Sequence, residues 1–176
     1  MTAASRIAAV GILTGALLCP SLALAAAEPG SRQTREYLQA SAQSDQFEIL
    51  EAIAVLAESK NAGLRAFAER MIEDHRRSAS ALRAAALRAG LTPPEMSMSA
   101  DQAMMLGALQ GVTGAAFDKL YAQQQSLAHR SALAVESLYA TSGENADVRG
   151  FAGTILPLIE RHLAMVDALA AKSSAP

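Results

Sequence analysis

The sequence predicts an all-α protein, a bundle of four long helices with a short extra helix in the connection between the second and third. Three observations carry this. Ala and Leu dominate the 176 residues, aromatics make up 4% and Trp is absent; Ala and Leu lose little on entering a helix. Four segments of matched length repeat apolar positions at three- and four-residue spacing. Turn and cap residues fall between them. With 51% hydrophobic and 18% charged residues, the chain can bury one core and lacks the composition of a disordered protein.

The first long segment runs from about Gln33 to Ser59, with Leu38, Ala42, Ile49, Ala52, Ile53 and Leu56 on one face. Asn61-Ala62-Gly63 reads as a short turn, so the second segment, Leu64 to Ala89, returns antiparallel. Its stripe is Leu64, Ala68, Met71, His75, Ser78, Leu82, Ala85 and Ala89, and Gly90 follows as a helix stop. Pro93-Pro94 interrupts the next stretch. Ser99 with Gln102 forms a capping box that starts a short helix ending near Gln110. After Gly111 and Gly114, the third long segment reaches about Ala140, with Phe117, Leu120, Tyr121, Gln124, Ala128, Val135 and Leu138 inward. The fourth spans Ala146 to Ala171, with Val148, Phe151, Ile155, Leu158, His162, Met165 and Leu169 on one face and Pro157 as an expected kink. The connection after Gly90 is long enough for either a crossover or a simple return.

The N-terminus reads as an export signal. Arg6 precedes the apolar run Ile7 to Leu18, Pro20 breaks it, Ala23-Leu24-Ala25 is a small-x-small cleavage site, and Ala25-Ala26-Ala27 offers a second. The run is too short to span a bilayer. Residues 1–25 are therefore expected to leave as a signal peptide, and residues 31–172 to form the helical domain. Cys19, the only cysteine, leaves with the signal; Leu18 before it is not the small residue that lipidation requires. The expected location is the periplasm, with association to the outer envelope as the alternative. A formal net charge of −2 gives no electrostatic footprint for nucleic acid. No transmembrane span is expected in the mature chain, and the sequence specifies neither a protein or envelope partner nor an oligomeric state.

His75 and His162 sit in the middle of otherwise apolar stripes, where an imidazole needs a hydrogen-bond partner or a metal. A neutral core histidine, held locally, is the plainer expectation; its pKa would lie below the ordinary value. His129, Glu48 and Asp74 are expected on helix flanks, where seams can bring them together. Counting residues from the turns puts Glu48, His75 and His129 near mid-bundle, with His162 within a turn or two. Asp118 lies too far along its helix from His129 to share a site. Met96, Met98, Met104 and Met105 cluster around the connection; thioethers suit Cu(I), and Met also simply fills gaps. Without a mature thiol, a glycine-framed serine or a phosphate loop, nucleophilic catalysis has no support.

The residues Asp74-His75, Phe117-Asp118-x-x-Tyr121 followed by His129, and Leu156-Pro157-x-x-x-x-His162 resemble the signature of a bacterial family named for domain of unknown function 4142. The resemblance runs from about Ser31 to Ala171. It implies an exported, ferritin-like four-helix bundle. Ferritin-like folds often hold two metal ions through Glu and a Glu-x-x-His pair, but no Glu lies three residues before any histidine here.

The function expected from the sequence is therefore a non-enzymatic periplasmic or envelope module, acting by association, with no cofactor and with histidines that serve structure. The alternative is a metal-binding bundle for iron, zinc or copper with a weak redox role, its ligands Glu48, His75, His129 and His162. The missing Glu-x-x-His pair leads to an expected metal-induced rise in melting temperature of no more than about 2 °C.

Overall fold

The computed structural model describes residues 30–173. The expected export signal and cleavage site, with Cys19, lie outside them. The described residues form five helices: α1 (Arg32–Glu58), α2 (Ala62–Arg88), α3 (Ala100–Gln110), α4 (Gly114–Ser142) and α5 (Ala146–Ser173).

Side-chain caps set most of the boundaries. Ser31 accepts from the Thr34 amide, Asn61 from the amides of Gly63 and Leu64, and Asn145 from the Val148 amide, each satisfying donors that a helix start leaves free. Asn61 is thus the cap of α2, so the turn falls one or two residues earlier than Asn61-Ala62-Gly63. Ser99 and Gln102 make the expected capping box. Gly90 ends α2 at φ +71°; its amide bonds to the Leu87 carbonyl and that of Leu91 to the Ala86 carbonyl. This paired closure needs a left-handed residue, which glycine adopts without strain. Helix α5 runs on through Pro157.

The connection between α2 and α4 is a crossover. Tyr37 near the start of α1 bonds to Glu136 near the end of α4, so these helices are antiparallel. Arg88 at the end of α2 pairs with Asp147 at the start of α5, so these are antiparallel too. Hence α2 and α4 run the same way, and the chain between them must climb the length of the bundle. Ser97 touches Gln39, the Met105 carbonyl accepts from Gln124, and the Gly114 amide donates to Glu58. These contacts trace an ascent over the α1–α4 seam. Each long helix packs mainly on two neighbours, α1 and α5 both on α2 and α4. A single long crossover is the connectivity of ferritin-like bundles.

The core is divided. One apolar cluster near the start of α1 includes Tyr37, Leu38, Leu82, Tyr139, Val148 and Phe151. A second, at the opposite end, includes Val55, Leu64, Phe67, Met71, Phe117 and Tyr121. Between them lies a buried polar layer: Asp45, Glu48, Glu51, His75, Gln125, His129 and His162.

That layer explains where the expected faces are wrong. On α1 the buried face carries Leu38, Ala42, Asp45, Glu48, Ala52 and Val55, while Ile53 is 45% exposed. On α4 the buried line is Phe117, Tyr121, Gln125, His129, Glu136 and Tyr139, leaving Val135 and Leu138 exposed. Following the apolar residues rotates both helices away from their polar inner positions. His129 and Glu48 are therefore fully buried rather than flank residues. The stripe read for α2 is buried as expected, apart from half-buried Ala89.

Candidate metal centre

All four long helices contribute to the mid-bundle layer. Helix α2 presents His75 to the axis, and α4 and α5 bring His129 and His162 beside it. Ring centroids lie 5.6 Å apart for His75 and His162, 6.1 Å for His75 and His129, and 5.4 Å for His129 and His162. One nitrogen from each ring lies within 4.8 Å of the other two. The expected convergence in height therefore holds for the histidines. Each ring is also held locally, as expected of a core histidine, and the three rings lie together in one cluster.

The nitrogen facing away from the cluster is bonded in every ring. His75 Nδ1 donates to Asp45 Oδ1 at 2.8 Å, His129 Nδ1 to the Gln125 carbonyl at 2.8 Å, and His162 Nε2 to Asp74 Oδ2 at 3.0 Å. An ionised carboxylate or a backbone carbonyl only accepts, so the outer nitrogen carries the proton; burial raises Asp45, and the bond and charge of His75 oppose that rise. In a neutral ring the other nitrogen is then a bare lone pair. Those nitrogens, His75 Nε2, His129 Nε2 and His162 Nδ1, are buried and make no hydrogen bond. The Asp74-His75 dipeptide thus has two tasks. Neighbours on a helix point about 100° apart, so His75 enters the axis while Asp74 turns to the α5 seam and orients His162.

Glu48 sits outside this group. Its Oε1 is 3.8 Å from His129 Nδ1, its Oε2 accepts from Gln125 Nε2, and it lines the same small cavity as the three rings. The same amide donates to Glu51 Oε2 at 3.0 Å, so one Gln bridges two buried carboxylates. The sequence expectation places Gln125 on the flank line of His129 and does not include Asp45 or Glu51. Their signal was available: polar residues at helical spacing among Leu38, Ala42, Ala52, Val55, Tyr121 and His129. Met96 and Met104 are exposed, and Met98 and Met105 half-buried.

The electrostatics follow from burial. His162 is pulled down to about 4, by burial first and by the neighbouring histidines, against the opposing pull of Asp74. His75 behaves oppositely to the sequence expectation. Burial pulls it down, but the bond to Asp45, with the charges of Asp45, Glu48 and Asp74, more than reverses this and raises it. Burial, reinforced by Glu48, lifts Glu51 to about 8. Burial likewise lifts Glu136 to about 7, against the lowering effect of its bonds from Tyr37 and Ser41.

These shifts set the pH dependence of the metal-free protein. A carboxyl raised in the folded state stabilises below its unfolded pKa and loses that contribution as pH rises through the folded value. A raised histidine has the same sign. Between pH 6.5 and 8, Glu51 and His75 act together, joined by Glu136 up to about pH 7; His162, lowered to about 4 in the folded state, opposes them only near pH 6.5, where its unfolded ring still carries part of a proton. Stability measured by urea unfolding is expected to fall by on the order of 2 kcal/mol across that window from Glu51 alone. Glu51→Gln should flatten the fall. A profile that rises over the same window in the wild type would contradict the buried, protonated Glu51.

Fold and site together define a four-helix bundle with a buried three-histidine cluster. The chain belongs to the family described as "Domain of unknown function (DUF4142)", whose model matches residues 19–169. Comparisons with curated proteins and with solved structures found no match. No helix among the described residues is long and apolar enough to cross a membrane.

Proposed function

We propose that this chain is an exported metal-binding bundle whose ion is held by His75 Nε2, His129 Nε2 and His162 Nδ1. The observation that carries this is the pairing of roles in each ring: a protonated outer nitrogen tied to an acceptor, and a bare inner nitrogen pointing at two others. Metal-binding imidazoles are oriented in this way, by an acceptor behind the ring. The structural alternative is less economical. A buried water can donate to two of the lone pairs, and a protonated His75 can donate to one neighbouring ring, whereas a cation satisfies all three neutral rings at once. Burying unsatisfied nitrogens costs about 1–3 kcal/mol each.

A tetrahedral ion with bonds of about 2.0–2.1 Å needs its ligand nitrogens roughly 3.3–3.4 Å apart. The separations here, up to 4.8 Å, contract to that value when the ion binds. The donor set favours zinc or copper. Imidazole suits both ions, and a ferritin-type pair of irons relies on carboxylate ligands. Here Asp45 and Asp74 bond the outer nitrogens, and Glu48 lies 3.8 Å from His129 Nδ1. Their charges offset that of the ion, and Asp45 and Glu48 also line the cavity beside the rings.

Export adds a test of its own. Protein recovered from the periplasm is expected to begin at Ala26, from cleavage after Ala25, or at Glu28, from cleavage after Ala27. Intact-mass spectrometry reads this directly, and a retained Met1 or an acylated Cys19 would contradict it.

Metal analysis of protein purified without chelator or affinity tag tests the binding. About one zinc or copper per chain is expected, lost in the His75→Ala, His129→Ala and His162→Ala variants. Metal retained in all three variants would remove the proposal.

A further inference from the structure

The two sides of the histidine layer differ. Toward the α1 C-terminal end, Phe67 stands edge-on to His162 at 6.2 Å, and Tyr121 is edge-on to Phe67; that side is closed by the second apolar cluster. On the other side lies a cavity of about 20 Å³, lined by the three histidines and by Ser41, Ser44, Ser78 and Ala132 among others. The non-histidine walls lie within about two turns of the rings, and each helix contributes its residues on the same side. Asp45 also lines the cavity; its Oδ1 holds His75, Ser78 interacts with the carboxyl, and Oδ2 has no other hydrogen-bond partner.

The cavity has a thin outer wall. A groove of about 300 Å³ lies along the α1–α4 seam beside α3. Ser41, Ser44, Ala132 and Glu136 line both spaces. Small side chains therefore separate the surface groove from the ligand side of the histidines, except at Glu136, which Tyr37 and Ser41 hold by hydrogen bonds.

Building on the three-histidine reading, we propose that the bound ion keeps an open coordination position facing this cavity, which admits from the α1–α4 groove a ligand of one or two non-hydrogen atoms. The size limit follows from the volume: a single water needs about 10–15 Å³ measured in this way, so the space holds one or two atoms and excludes a branched molecule. Three protein ligands plus one exchangeable position is the pattern of sites that act on a ligand rather than only bracing a fold. Asp45 Oδ2 supplies an acceptor for a protic ligand such as water or hydroxide.

The test uses anaerobic Cu(I)-loaded protein with carbon monoxide as a two-atom probe. Cu(I) affinity is measured by competition with a chromogenic chelator, and bound carbon monoxide by its infrared stretch. The wild type is expected to bind carbon monoxide and to refuse tert-butyl isocyanide. Ala132→Leu, which fills the wall between groove and cavity, should weaken carbon monoxide binding tenfold or more while changing Cu(I) affinity less than threefold. Ser44→Val provides the same test with a smaller added volume, should the leucine disturb folding. Cu(I) bound through the histidines with no carbon monoxide signal would overturn the open position and leave the metal centre standing. Equal binding of the bulky isocyanide would overturn the size limit. Failure to bind Cu(I), Zn(II) or Co(II) through the histidines would instead remove the three-histidine reading beneath it.

Discussion

Zn(II) added to chelator-stripped protein is expected to raise its melting temperature by roughly 10 °C. An ion that binds only the folded state at a thousandfold excess over its dissociation constant contributes about 4 kcal/mol, and a domain of this size gains a few degrees per kcal/mol. The limit of about 2 °C expected from sequence rested on the missing Glu-x-x-His pair. That premise concerns carboxylate-rich sites, and three converging imidazoles do not depend on it. His75→Ala, His129→Ala and His162→Ala should each abolish the shift. Asp45→Asn and Asp74→Asn, which loosen a ring without removing a ligand, should weaken metal binding about 10- to 100-fold, the usual cost of losing an outer partner. A shift that survives the histidine variants but disappears when Met96 and Met98 are changed would place the ion at the crossover connection instead.

Gln125→Leu is expected to be among the most damaging single changes. Its side-chain amide is the shared donor between Glu48 and Glu51, and all three residues are almost fully buried. Leucine fills similar space but leaves two neighbouring carboxylates without that donor. Breaking such an arrangement costs about 3 kcal/mol or more. The loss should be largest near pH 8.5 and smaller at pH 6.5, where Glu51, raised to about 8, carries a proton and the pair holds less charge. Urea unfolding at the two pH values measures both quantities. A loss below about 1 kcal/mol at both would mean that water reaches the carboxylates and that the layer is not dry.

Much of the architecture is legible in the sequence because caps and apolar periodicity are local. Ser99 with Gln102, Gly90 and the α2 stripe act within a few residues of themselves, and they appear in the structure almost where they were read. The crossover is not local. A linker with Pro93-Pro94 and a short helix has the length for either connection, and only packing of Leu91 at one end and Leu109 at the other decides it. The site was half legible for a related reason. Residue counts from the turns brought His75, His129 and His162 to one level. Hydrophobicity then misassigned the inner faces of α1 and α4, because Asp45, Glu48, Gln125 and His129 occupy core positions that a purely structural helix would give to apolar side chains. Such departures cost stability, and they are where a functional site is expected. Glu48 shows the remaining limit. Sequence spacing put it at the right height, yet which side of His129 it occupies depends on the seam between α1 and α4.

Metal-edge X-ray absorption on protein loaded with one equivalent of Zn(II) tests the three-histidine centre most directly. Three imidazole nitrogens at about 2.0 Å, with one further light ligand at similar distance, are expected. In His162→Ala the imidazole count should fall. A first shell of oxygen ligands only, or the same spectrum from wild type and His162→Ala, would contradict a centre built on His75, His129 and His162.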